Sequence, residues 1–182
     1  DRGVPETERM IVWHIRVPRA LLALLVGAML AMAGVALQGL LLNPLADPYT
    51  VGVSSGAALG AGIATLTKLA ELFGGFGVPV VAFVFAIAAM MVVYMLARSA
   101  GRVSVHSFLL AGIVVGSFLW AMLSFVLALA AGDPAEAQGK IISWLLGSLN
   151  AANPWGYVRV AGPFAALGLI ALYAFARDLN VF

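Results

Sequence analysis

Polar residues are sparse along this chain and gather in short clusters that cut an apolar sequence into segments. Residues 1–15, DRGVPETERMIVWHI, are polar and then amphipathic, with Trp13 suited to a membrane interface and His14 beside it as a solvated interfacial residue. An apolar run then covers 20–42 and stops at Asn43-Pro44-Leu45-Ala46-Asp47-Pro48. Further apolar runs occupy 53–70, 79–97, 107–131 and 155–176. In lipid every backbone polar group needs an internal partner, so runs of this length read as helices. Residues 20–42 would extend about 34 Å at about 1.5 Å per residue, enough for a hydrocarbon core about 30 Å thick. The pattern predicts five membrane spans over these ranges. Pro44 and Pro48 forbid continuation of the first helix into the second.

The polar stretch 132–153, GDPAEAQGKIISWLLGSLNAAN, interrupts the last two spans. Asp133-Pro134 followed by Glu136 reads as a helix start. The apolar piece at 141–149 is too short to cross a bilayer, which predicts a short non-spanning helix within 134–149. The strict alternation of a membrane barrel is absent. The fold class is therefore all-α: a polytopic helical bundle, with 1–182 forming a single transmembrane domain.

Composition agrees and narrows the functions. The chain is 63% hydrophobic and 10% charged, against about 25% charged residues in a soluble domain, and its mean hydropathy is +1.06. The net charge of +2 is scattered, without the basic face that nucleic-acid binding needs. The absence of cysteine excludes disulfides, cysteine-zinc sites and iron–sulfur clusters. GDPAEAQGKI contains a Gly-Lys pair but lacks the glycine spacing and the Ser/Thr of a phosphate loop. No His-Glu-x-x-His, no Gly-x-Ser-x-Gly and no paired intramembrane carboxylates occur. The reading is a non-enzyme that needs no cofactor and holds no metal. No span carries an in-membrane charge of the kind that marks a proton relay, which weakens a proton-coupled carrier. The chain starts at Asp1 with polar residues and stops at Phe182 without a tail. It therefore carries no visible signal peptide and is expected to be a fragment of a longer protein.

The few polar and small residues within or beside the spans are the candidates for function. Arg16 and Arg19 flank Pro18, which is expected to form a stiff turn at the mouth of the first span. They either anchor the helix by snorkelling or dock a partner. Gln38 is the one polar side chain of that span and either bonds a neighbouring helix or lines a pathway. Met29 and Met32 read as packing. Asn43, Asp47 and Thr50 can bond freed backbone groups in the break; a proton or cation site at Asp47 is the alternative. Ser54 and Ser55 open the second span as an N-cap or as pathway residues. Gly52, Gly56 and Gly60 are spaced by four and predict a face where another helix backbone approaches. Gly112 and Gly116 form a second such pair. Arg98, Arg102 and His106 make a basic loop between the third and fourth spans, yet the distribution of basic residues does not place that loop in the cytoplasm.

Seven stretches stand in an order shared with a known family. They are Ile-Arg-Val-Pro-Arg at 15–19, Gly-Ala at 27–28, Ala-Gly-Val-Ala-Leu-Gln at 33–38, Asn-Pro-Leu-Ala-Asp-Pro at 43–48, Gly-Val-Ser-Ser-Gly-Ala at 52–57, Leu-Leu-Ala-Gly at 109–112 and Trp-Leu-Leu-Gly-Ser-Leu at 144–149. The chain resembles the FecCD-type permeases of ABC importers for ferric siderophores, haem and vitamin B12. The resemblance implies a type II importer permease of the bacterial or archaeal cytoplasmic (inner) membrane. Its full subunit has about ten spans, of which these five would be the second to sixth. It also implies a homodimer or pseudo-dimer surrounded by lipid, with separate ABC ATPase subunits and a periplasmic or lipoprotein substrate-binding protein as partners. By the same resemblance Arg16 and Arg19 would face the periplasm and meet carboxylates of the binding protein. Asn43, Pro44, Asp47 and Pro48 would lie near the cytoplasmic side, and His106 and Ser107 beside the cytoplasmic gate. A stand-alone helical channel or secondary transporter without an ATPase is the competing expectation.

Overall fold

A computed structural model describes residues 6–99, 102–129, 134–149 and 153–179. The helices are α1 (Glu6–Ile11), α2 (Val17–Leu41), α3 (Val53–Leu66), α4 (Gly77–Ala97), α5 (Val105–Ala128), α6 (Pro134–Leu145), α7 (Pro154–Ala174) and α8 (Ala176–Leu179). A π-helical turn, Val12–Arg16, joins α1 to α2, and 3-10 turns occupy Pro48–Val51 and Lys68–Gly75. Among the described residues four helical stretches are long and apolar enough to cross a membrane: Glu6–Leu41, Gly77–Ala97, Val105–Ala128 and Pro154–Ala174. Helix α6 falls within the range expected for a short non-spanning helix; Asp133, read as part of its start, lies outside the described residues.

The second of the five expected spans is shorter than its apolar run. Helix α3 ends at Leu66, where Thr67 turns extended and its side chain accepts the Leu69 N–H. Fourteen residues reach only about 21 Å. The rest of that run, together with 71–75, coils into the Lys68–Gly75 3-10 segment. The first span also differs. Pro18 makes no turn at a helix mouth; it lies inside a continuous 36-residue helical stretch, and the apolar run 20–42 is its C-terminal part. One small element was not anticipated: Arg98–Ser99 pairs antiparallel with Arg102–Val103, in the register Arg98↔Val103 and Ser99↔Arg102.

The chain forms two compact units. One comprises residues 46–147 and the other 1–45 with 148–182. In the first, α3 is the centre and packs on α4, α5 and α6. Its buried residues are nearly all small: Ser55, Gly56, Ala58, Gly60, Ala61, Gly62 and Ala64, with Leu59. Small side chains let helix backbones approach closely, which is how helices associate where lipid offers no hydrophobic drive. Ala58, Leu59, Leu123 and Ile141 form a buried cluster, with Ile63, Phe85, Leu119, Val126 and Leu127 against it. Ile141 of the non-spanning α6 is thus an anchor, while its neighbours Ile142, Trp144 and Leu145 remain exposed. In the other unit α2 packs on α7. Its contact is thinner: α2 buries Pro18, Leu22 and Leu41, and α7 buries no residue.

Candidate functional site

The break after α2 is built from local bonds. Leu42 is left-handed, at φ 49°, and Asn43 N–H donates to Gln38 C=O at 3.1 Å. Leu42 N–H reaches Gly39 C=O at 3.4 Å, which completes a Schellman-type end. Asn43 Oδ1 then accepts from Leu45 N–H at 2.9 Å. On the far side Asp47 Oδ1 accepts from Tyr49 N–H at 2.8 Å, and Thr50 Oγ1 donates to Asp47 C=O at 2.7 Å. Pro48 starts the 3-10 turn that Asp47 caps. Pro44 lies within the first group, bridged by the bond from Leu45 N–H to Asn43 Oδ1. Asp47 is thereby occupied as a capping residue. Among the described residues no three His, Cys, Asp or Glu side chains converge as a metal site.

The turn delivers Gly52 to α5. Gly52 has φ +82°, and a Cβ there would lie 3.3 Å from Gly112 C=O. A Cβ on Gly112 would lie 2.7 Å from Thr50 C=O and 3.0 Å from Val51 Cα; Gly116 faces Ser55 Oγ and Gly52 Cα. Gly52 therefore does not share the face of Gly56 and Gly60, which lie against α4. A Cβ on Gly56 would sit 2.6 Å from Ala89 Cβ and 2.7 Å from Phe85 C=O, and one on Gly60 2.8 Å from Val81 C=O. The four-residue spacing merges two contacts because Gly52 precedes the helix as its left-handed N-cap. Ser55 is 3% exposed, and its hydroxyl donates to Gly52 C=O at 2.8 Å. It is not the N-cap of α3, and Ser54 beside it is half-buried.

Helix α5 begins two residues earlier than its apolar run. Ser104 caps it by accepting the Ser107 N–H at 3.1 Å, and the two hydroxyls are 2.8 Å apart. Ser104 was missed as a capping residue; the Ser-x-x-Ser before an apolar run is the signal that could have found it. His106 is exposed and Ser107 half-buried in this first turn. Gln38 is half-buried in the last turn of α2. Arg16 closes the π-turn and Arg19 lies in the first turn of α2, where its side chain is exposed. Both are exposed, on either side of the buried Pro18. A groove of about 330 Å³ runs between α2 and α7, lined by Met29, Met32, Gly168, Leu172 and Phe175 among others.

These features define a multi-pass helical membrane protein in which the contacts around α3 are made by small residues. Residues 2–182 match the FecCD transport family, and the chain belongs to that family. It is 45% identical over 173 residues to YvrB of Bacillus subtilis, an uncharacterised ABC transporter permease protein, covering 94% of this chain and 48% of the relative. It is 40% identical over 179 residues to the cobalamin import system permease BtuC of Halobacterium salinarum, covering 98% and 46%. It is 37% identical over 180 residues to the hemin transport system permease HmuU of Yersinia pestis, covering 93% and 51%. The chain thus spans about half the length of the curated relatives it matches. A solved structure described as an inward-facing conformation of an ABC transporter of metal-chelate type superposes with a TM-score of 0.81 at 28% identity, covering all of this chain and 56% of that one.

Proposed function

We propose that the chain is part of the membrane permease of an ABC importer for a bulky iron-siderophore, haem or cobalamin substrate. The observation that carries this is the match of the whole chain to the metal-chelate transporter fold at 28% identity. On this reading ATP hydrolysis belongs to separate ATPase subunits, and the permease works as a dimer. The pathway candidates are Gln38, Ser54, Ser55, His106 and Ser107. Arg16 and Arg19 dock a substrate-binding protein. Arginine and carboxylate form directional, charge-assisted pairs, and such complementarity chiefly sets encounter and register.

The test is reconstitution of the full-length permease in proteoliposomes with an ABC ATPase and a substrate-binding protein. Uptake of labelled cobalamin, hemin and a ferric siderophore is measured with and without ATP. ATP-dependent accumulation of one of them is expected. Accumulation without the ATPase would instead establish a stand-alone carrier. The docking role has its own test. Each exposed ion pair contributes only about 0.2–1 kcal/mol, so Arg16→Ala or Arg19→Ala should weaken docking modestly. Arg16→Glu with Arg19→Glu should abolish stimulation of the ATPase by loaded binding protein while its basal rate survives. Failure of compensating basic substitutions on the binding protein to restore any stimulation would overturn the docking role.

A further inference from the structure

The π-turn before α2 leaves the Trp13 carbonyl without a main-chain donor in either helical register. In a regular α-helix Trp13 C=O would accept from Val17 N–H, but Val17 donates to Val12 C=O, five residues back. In the π register the donor would be residue 18, and Pro18 has no N–H. Neither register serves Trp13. The donor arrives from 142 residues away: Trp155 Nε1–H donates to Trp13 C=O at 3.1 Å. Trp155 stands at the start of α7, where Pro154 occupies the first turn and Asn153 Oδ1 caps Gly156 N–H. The capped turn therefore sets the position from which the indole reaches α2.

The widened turn itself has its cause in Pro18. In an unbroken α-helix the proline ring would collide with the carbonyl four residues before it, that of His14. Widening the turn relieves this collision. A one-residue insertion of this kind rotates the helix before it by about 100° relative to the helix after it. Glu6, Arg9 and His14 lie before or within that turn, and Arg16 closes it.

We infer that Trp155 is a positioning residue: its indole N–H replaces the amide hydrogen that Pro18 lacks, and so locks the π register that sets the azimuth of residues 6–16. The consequence for docking through Arg16 rests on the reading given above; the lock does not. Two experiments on the full chain in lipid nanodiscs test it. The first follows the Trp155 indole proton by NMR in tryptophan-¹⁵N-labelled protein, its resonance assigned by its loss in Trp155→Phe. In Pro18→Ala a main-chain donor becomes available to Trp13 C=O. Deuterium exchange of the Trp155 indole should then accelerate roughly tenfold, the scale of one lost hydrogen bond. An unchanged exchange rate overturns the lock.

The second uses the cysteine-free sequence. Nitroxide labels at Arg9→Cys and Arg159→Cys report the azimuth as a distance. Closing the bulge would carry the Arg9 label through a chord of about 8 Å. Trp155→Phe keeps an aromatic ring but removes the donor, and should add a second distance population or shift the first. An unaltered distance distribution overturns the lock. If Trp155→Phe does not yield folded protein, the exchange rate in Pro18→Ala, which leaves Trp155 intact, decides. Charge reversal at Arg16 and Arg19 leaves the Trp13 carbonyl untouched, so the docking reading and the lock fail separately.

Discussion

The two units of this chain use helices of similar apolar character in opposite ways. Around α3, glycine and alanine bring backbones together: Gly56 and Gly60 meet α4, and Gly112 meets the Pro48–Val51 turn closely enough that no Cβ would fit without movement. In the other unit, Gly27 and Gly34 of α2 face open space, with nothing within 4 Å of a built Cβ. Both sets of glycines lie in apolar sequence and look alike in composition. Hydropathy measures whether a segment tolerates lipid. It carries no information on whether a given face meets lipid or another backbone. The shortest helix of the five long apolar segments, α3, is also the most buried, which is the reverse of what length alone suggests.

Breaking the close contact should give the largest effect. Gly56→Leu would drive a branched side chain into Ala89 Cβ and Phe85 C=O. Overpacking costs about 1–3 kcal/mol, more where backbone blocks relaxation. Loss of monodisperse protein in fluorescence-detected gel filtration is the expected outcome, and normal yield would contradict the α3–α4 packing. A smaller effect is expected from Asp47→Ala, which removes the cap on Tyr49 N–H. Helix caps contribute about 0.5–2 kcal/mol, so the thermal midpoint should drop by a few degrees, without the collapse expected for Gly56→Leu. Ser55→Ala deletes one buried hydroxyl bond, worth about 0.5–1.5 kcal/mol. Because Gly52 C=O still accepts from Gly56 N–H at 3.1 Å, the effect should fall at the low end. If transport by the full permease falls more than stability does, Ser55 has a pathway role as well.

The smallest effect is the most discriminating. Gly34→Leu fills empty space on α2, and in the isolated chain it should leave the thermal midpoint nearly unchanged. The same substitution in the full-length permease reads out what that face meets. Undiminished assembly means lipid, whereas lost assembly means a helix or a second copy.

Much of the secondary structure was legible because its causes are local. Pro44 and Pro48 end a helix through their own rings, whatever lies around them. Asn43, Asp47 and Thr50 satisfy backbone groups two or three residues away, so the break could be read from a short stretch of sequence. The end of α3 was less legible. Thr67 and the 3-10 coil sit in a sequence still apolar enough for a span, and hydropathy has no marker for such a change of helix type. The glycine spacing put Gly52 on one face with Gly56 and Gly60, whereas its left-handed backbone turns it toward α5 while the other two lie against α4.

From the sequence alone came the membrane class, the number of apolar helical segments, the position of the break, the lack of any cysteine-based chemistry and the family resemblance. These depend on composition, on proline and glycine at particular spacings and on residue order, all of which exist before the chain folds. Only the tertiary structure decided which helix faces are buried, that α3 lies at the centre of its unit and that Pro18 lies inside a continuous helix, just after a π-turn, instead of forming a stiff turn at a span's mouth. The bond from Trp155 to Trp13 belongs to the same group. Pro18 announces that a donor is missing, but nothing in the neighbouring residues says where a replacement will come from. That depends on the packing of α7 beside α2, which brings together groups 142 residues apart.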